Sequence, residues 1–164
     1  MKSQTESQLY EPVRHWLETS IKHRFRQCDV RAYNTSRIKV SSLIANLGLQ
    51  SAFPESGVWD IQADITALVT GKKNHIAFVE CKMGNITLRD VGQLLGYCRV
   101  ARPVAALLLS PKPVTDNLRN LLVVYGRYDI LEYDRDENRI MIVQWDAARC
   151  AIMHGATLPP GEHL

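Results

Sequence analysis

The chain has 164 residues, 46% of them hydrophobic and 23% charged, with a formal net charge of +3. That length builds one domain with a sizeable core, and the composition excludes a disordered polymer, a collagen-like repeat and a disulfide-stapled mini-protein. No apolar run approaches the ~20 residues that cross a bilayer, and the polar start MKSQTESQLYEP lacks the apolar core of a signal peptide, so a cytoplasmic protein is expected.

Taken in chain order, Ser3-Gln4-Thr5-Glu6 predicts a capped helix start. The apolar positions Leu9, Tyr10, Val13, Trp16, Leu17 and Ile21 carry that helix to about Phe25. A short strand follows at Asp29–Tyr33. A short helix at Lys39–Leu47 ends at Gly48, and Phe53–Gly57 reads as a turn or loop. Trp59–Thr70 and His75–Lys82 predict two strands joined by a turn at Gly71–Asn74. The second contains IAFVEC, apolar on both alternations, which describes a central strand covered on both faces.

Thr87 with Asp90 three residues on predicts a capping box. Leu88, Val91, Leu94, Leu95 and Cys98 give the following helix its apolar stripe, and Pro103 ends it. Val104–Ser110 predicts another buried strand, Thr115–Tyr125 a helix with Leu118, Leu121 and Leu122 inward, and Asp129–Tyr133 with Arg139–Gln144 a final hairpin. The segment from Asp146 reads as an irregular extension. The order is that of an α/β domain with a mixed sheet, residues 1–145, with 146–164 as its extension.

The charge is unevenly spread. Residues 1–127 hold 17 Lys and Arg against 10 Asp and Glu, whereas residues 128–164 hold 3 against 7. Lys22, Arg24, Arg26, Arg31, Arg37 and Lys39 face only Asp29 between Ser20 and Lys39, a concentration that attracts phosphates. The cysteines Cys28, Cys81, Cys98 and Cys150 form no C-x-x-C pair and read as buried reduced thiols.

The chemistry-bearing residues converge on the second strand of the central pair. Glu80 and Lys82 are two apart on a strand, so they share a face at the point where an apolar strand turns polar. If Thr70 pairs with His75, Asp64 falls opposite Cys81, and Asp60 lies beyond the strand near Asn85. Two neighbouring carboxylates repel unless a cation lies between them, and hard oxygen donors suit Mg2+ or Mn2+.

Asp64, fifteen intervening residues and then Glu80-Cys81-Lys82 resembles the D…(D/E)-x-K signature of the PD-(D/E)XK nuclease superfamily, with Ala63 where the family has proline. Gln93 and Tyr97, four apart in DVGQLLGYCRVA, resemble the Q-x-x-x-Y motif of RecB-like exonucleases. The resemblance implies a restriction-endonuclease-like core, α-β-β-β-α-β, with a C-terminal helix and hairpin extension. It implies Mg2+ or Mn2+ held by Asp64, Glu80 and the Cys81 carbonyl, with Glu6 reaching the metal through water, and DNA as substrate. Lys82 would orient or deprotonate the attacking water or stabilise the phosphorane, Gln93 would lie beside the metal, Tyr97 would support DNA contact or packing, and 5′-phosphate ends would result. Lys72, Lys73, Arg89, Arg37 and Lys39, with Arg99 and Arg102, are candidates for phosphate contacts. The competing expectation is a nucleic-acid-binding module, or a partner-dependent subunit of a repair, defence or mobile-element system, without cleavage of its own. A homodimer or a protein partner is compatible with either.

Overall fold

The computed structural model describes residues 5–153, 155–162 and 164. Ser3 and Gln4 of the expected cap lie outside them. Helix α1 spans Ser7–Arg24, β1 Asp29–Asn34, α2 Val40–Asn46, β2 Ile65–Thr70, β3 His75–Cys81, α3 Leu88–Ala101, β4 Ala105–Ser110, α4 Asp116–Arg119, β5 Ile140–Asp146 and β6 Ala151–Ile152. The strands form one sheet in the order β1-β2-β3-β4-β5-β6. β1, β2 and β3 are antiparallel neighbours, β3, β4 and β5 are parallel, and β6 returns antiparallel to β5.

Helices cover both faces of this mixed sheet. On one face Leu9, Val13, Leu17 and Ile21, spaced four apart along α1, pack on Ile65, Ala67 and Val69 of β2 and Ala77, Val79 and Cys81 of β3. Each such buried aliphatic side chain contributes about 2 kcal/mol of transfer free energy. On the other face Val91, Leu94 and Cys98 of α3, with Val40 and Ile44 of α2, cover Leu68, Ile76, Phe78 and Leu108. Burial of both alternations of β3 fits the reading of IAFVEC as a central strand. Strand β1 is an edge, and α1 blunts it: the Ala32 N–H donates to Glu18 Oε2 at 2.9 Å, and Arg14 donates to the Ala32 carbonyl at 3.3 Å.

Several local expectations hold in detail. Thr87 and Asp90 form the capping box, with the Thr87 N–H donating to Asp90 Oδ2 at 2.8 Å. Arg102 terminates α3 in the left-handed region at φ 47°, just before Pro103.

Others fail for tertiary reasons. Trp59–Thr70 is not one strand. Trp59, Ile61 and Ala63 face the α3-side core, whereas Ile65, Ala67 and Val69 face the α1-side core. All six positions are odd, so an uninterrupted strand would put them on one face. The chain bends at Asp64 and changes phase there, and only Ile65–Thr70 enters the sheet. Register also differs by one residue, since His75 pairs with Val69 rather than Thr70.

Leu88 is 54% exposed because it opens the helix on its outer side. The helix expected over Thr115–Tyr125 is a single α turn followed by a π-helical stretch at Asn120–Val124. This keeps Leu118 and Leu122 buried and leaves Leu121 half-buried. The first arm of the last hairpin is a 3-10 turn at Tyr128–Leu131 followed by one bridge, Glu132 to Arg139; β4 occupies one edge of β5, and the other edge is taken by Leu158 and β6. The segment beyond Asp146 is more ordered than expected, adding β6 and a bridge from Leu158 to Ile142. Of the four free cysteines only Cys81 and Cys98 are buried, while Cys150 is exposed.

Candidate functional site

The bend at Asp64 is held by the end of β1. The Thr35 N–H donates to the Asp64 carbonyl at 2.8 Å, and the Thr35 hydroxyl donates to the Ala63 carbonyl at 2.6 Å. That hydroxyl also lies 2.8 Å from the hydroxyl of Thr66, and Thr35 itself is 0% exposed. Both carbonyls flanking the turn into Asp64 are therefore clamped by one buried residue. Sequence periodicity gives no warning of it: Val30 and Ala32 alternate inward along β1, which would place Asn34 inside and Thr35 out.

The clamp presents Asp64 to the end of β3. Its Oδ2 accepts from the Cys81 N–H at 2.8 Å, and its own N–H donates to Glu80 Oε2 at 3.2 Å. The other Glu80 oxygen, Oε1, accepts from Gln93 Nε2 at 3.0 Å and lies 3.6 Å from Lys82 Nζ. Thus Asp64, Glu80, Lys82 and Gln93 are brought together, Gln93 from the second turn of α3. The one-residue register error does not separate them, because the Asp64 side chain reaches along the strand to Cys81. A strand residue's N–H and C=O point the same way, so the Cys81 carbonyl faces the Asp64 side as well.

Electrostatics mark this cluster. Glu80 is 4% exposed, and burial, reinforced by the charge of Asp64 and partly offset by Lys82, pushes its carboxyl up to about 7. Lys82 loses hydration by burial, but the charges of Glu80, Glu6, Asp64 and Asp90 together raise its ammonium above the ordinary lysine value. Glu6 is therefore within electrostatic reach from the N-cap of α1. Tyr10, one turn further on, is missing from the expected set. Burial raises its phenol first, then the carboxylates of Asp64 and Glu6. The signal for it was its shared helix face with Glu6.

The candidate phosphate contacts divide by position. Arg37 and Lys39 leave β1 at the Asp64 end of the sheet, where Lys39 pairs with Asp60 at 2.8 Å. Arg89 lies one turn before Gln93 on the same side of α3. Lys72 and Lys73 are not brought to the site: they sit at the opposite end of β2 and β3, about 20 Å from Glu80 at ~3.3 Å per strand residue. Tyr97 is half-buried against the α3-side core. Of the six cations between Ser20 and Lys39, Lys22, Arg31 and Lys39 are tied to Glu18, Asp29 and Asp60.

The donor set suits a hard divalent cation. Two carboxylates and a carbonyl offer oxygen donors, and Glu80, raised first by burial and then by the charge of Asp64, is a carboxylate whose charged form a cation would stabilise. Among the described residues no group of three or more His, Cys, Asp or Glu side chains closes around one point. Any cation here would thus take water or substrate oxygens as further ligands.

No protein-family model and no curated protein matches the chain. Among solved structures it is similar to the MspJI restriction endonuclease in complex with a 27-mer oligonucleotide, with 10% identity and a TM-score of 0.32. The match covers 87% of this chain and 32% of that one, so the chain spans about a third of that protein. A likeness that slight bears neither on fold family nor on activity.

Proposed function

We propose that the chain is a divalent-metal-dependent nuclease of the restriction-endonuclease-like class, hydrolysing phosphodiester bonds in DNA. The observation that carries this reading is the junction of Asp64, Glu80, Lys82 and Gln93 at the end of a buried central strand. Asp64, Glu80 and the Cys81 carbonyl would hold Mg2+ or Mn2+, with Glu6 nearby. When bound, such an ion supplies Lewis acidity toward the phosphate and a lowered pKa for water.

The protein's own groups account for the rest. Lys82 stays protonated among four carboxylates, so it serves as an electrostatic and orienting group rather than as a general base. Gln93 donates to Glu80 Oε1 and sets the rotamer of that carboxylate. Tyr10 packs beside Asp64 on the α1 side. The Thr35 clamp fixes the backbone that carries Asp64.

A second reading has its own support. Asp64 and Glu80 each accept a backbone N–H from the other's neighbourhood, which stabilises the pair without a cation. The same junction would then be the structural core of a nucleic-acid-binding module or of a partner-dependent subunit. Cleavage assays on linear, branched and single-stranded DNA with Mg2+ or Mn2+ separate the two. The nuclease reading expects cutting by wild type and a loss on the order of 10²-fold or more in Lys82→Ala. Binding of DNA without cutting of any substrate would establish the second.

A further inference from the structure

At the opposite end of the sheet from Glu80 lies an open cleft of ≈ 870 Å³ lined by Arg24, Arg99, Arg102 and Arg135 against Asp134 and Asp136. Among the described residues, no carboxylate comes within 4.0 Å of any of these four guanidinium groups. Both oxygens of Asp134 are already engaged, accepting from the N–H groups of Asp136 and Asn138 and from the Asn138 amide. Arg24 and Arg99 lie in the last turns of α1 and α3, where helix C-termini attract cations. That attraction does not account for Arg135, which comes from a loop in the acidic part of the sequence. Arg102, the C-cap of α3, shares that helix end, yet it is an arginine held at φ 47° where glycine is the favoured residue, a backbone cost that the attraction does not explain.

The cleft is joined to the Glu80 end by the outer side of α3. Gly92 and Gly96 there meet nothing within 4 Å of an added Cβ, so the middle of the helix is open to close approach. Arg89 and Gln93 lie at its near end, Arg99 and Arg102 at its far end. From Gln93, which touches Glu80, to Arg102 the helix rises about 13 Å, the rise of about four base pairs.

We propose that this arginine cleft binds the phosphodiester backbone of a nucleic acid duplex lying along α3, about four base pairs from the carboxylate junction. The direction of that track rests on the nuclease reading; the presence of the cleft does not.

The test is fluorescence anisotropy of the full chain with a labelled DNA duplex of about 30 base pairs in EDTA, titrated with NaCl, so that no cleavage is required. Arg99→Ala/Arg102→Gly is expected to weaken binding tenfold or more near 100 mM NaCl and to lower the salt slope by about 2. Arg102→Gly alone should raise the melting temperature while weakening binding, a combination that a merely structural Arg102 would not produce. Arg127→Ala, outside the cleft lining and already paired with Asp129, should change affinity less than twofold.

No measurable duplex binding by wild type, or an unchanged salt slope in the double variant, overturns the proposal. So does micromolar binding of pyrophosphate or a nucleoside triphosphate that the duplex does not displace, which would make the cleft a small-molecule site. Lost binding in a protein that cuts no substrate keeps the cleft and removes the nuclease reading. Cleavage with unaltered binding in the variants does the reverse.

Discussion

Replacing Glu80 by glutamine should change how stability depends on pH, by an amount that follows from the burial of this side chain. In the folded metal-free protein its carboxyl stands at about 7, against an ordinary value of 4.5. Between those limits the folded state binds the proton more tightly than the unfolded state. The stabilisation associated with neutral Glu80 is therefore complete below about pH 4.5 and is lost as pH rises through about 7. A shift of that size corresponds to roughly 3 kcal/mol at 1.36 kcal/mol per unit. The amide introduced by Glu80→Gln cannot titrate, so the loss is absent from the variant.

The fixed cost of the substitution, an amide N–H placed among the donors Asp64 N–H, Gln93 and Lys82, is nearly the same at every pH. Urea denaturation of both proteins in EDTA, followed by circular dichroism, should show the stability difference moving toward Glu80→Gln by about 3 kcal/mol between pH 4.5 and pH 8. Millimolar Mn2+ at pH 8 should stabilise wild type and leave the variant unchanged. Curves for the two proteins that stay parallel within about 1 kcal/mol would refute the reasoning, since burial would then not disfavour the charged form of Glu80.

Three further outcomes can be checked in the same way. Thr35→Val leaves the Ala63 carbonyl and the Thr66 hydroxyl without their buried partner, and should cost about 2 kcal/mol and weaken Mn2+ binding; Thr35→Ser should recover most of both, and equal loss in the two variants would argue against the hydroxyl clamp. Gln93→Ala removes the amide that orients Glu80 Oε1, and should lower Mn2+ affinity about tenfold, read by calorimetry, with little change in melting temperature. Glu18 loses hydration by burial, but the Ala32 N–H and Lys22 hold its carboxyl below the ordinary value, so its contribution is present above the unfolded pKa and lost as pH falls through the folded one. Glu18→Gln should therefore flatten the acid limb of the stability curve while leaving stability above pH 6 lowered by about 1 kcal/mol.

Elements whose cause is local can be read directly from the residues. The four-residue spacing of Leu9, Val13, Leu17 and Ile21 dictates the face that α1 buries, because helix geometry repeats nearly every four positions. Thr87 and Asp90 cap α3 through bonds three residues long. Glu80 and Lys82 share a face on any strand that contains them. The element order and most of the charged cluster at the end of β3 follow from such short-range rules.

Longer-range features depended on the assembled sheet. Alternation cannot reveal that the chain changes phase at Asp64, since both halves of Trp59–Thr70 alternate correctly by themselves; only the two opposing cores make the break visible. The one-residue shift that pairs Val69 with His75 is set by the hairpin geometry, and the loss of a strand at Tyr128–Leu131 by Leu158 and β6 taking the edge of β5 that β4 leaves open. Thr35 becomes a clamp because burial converts an ordinary turn hydroxyl into the sole partner of the Ala63 carbonyl among the described side chains. Arg24, Arg99, Arg102 and Arg135 meet in one cleft although the chain separates them by up to 111 positions. Periodicity and capping act over one or two turns, whereas register, phase and the meeting of distant charges are settled by which surfaces the packed core leaves facing one another.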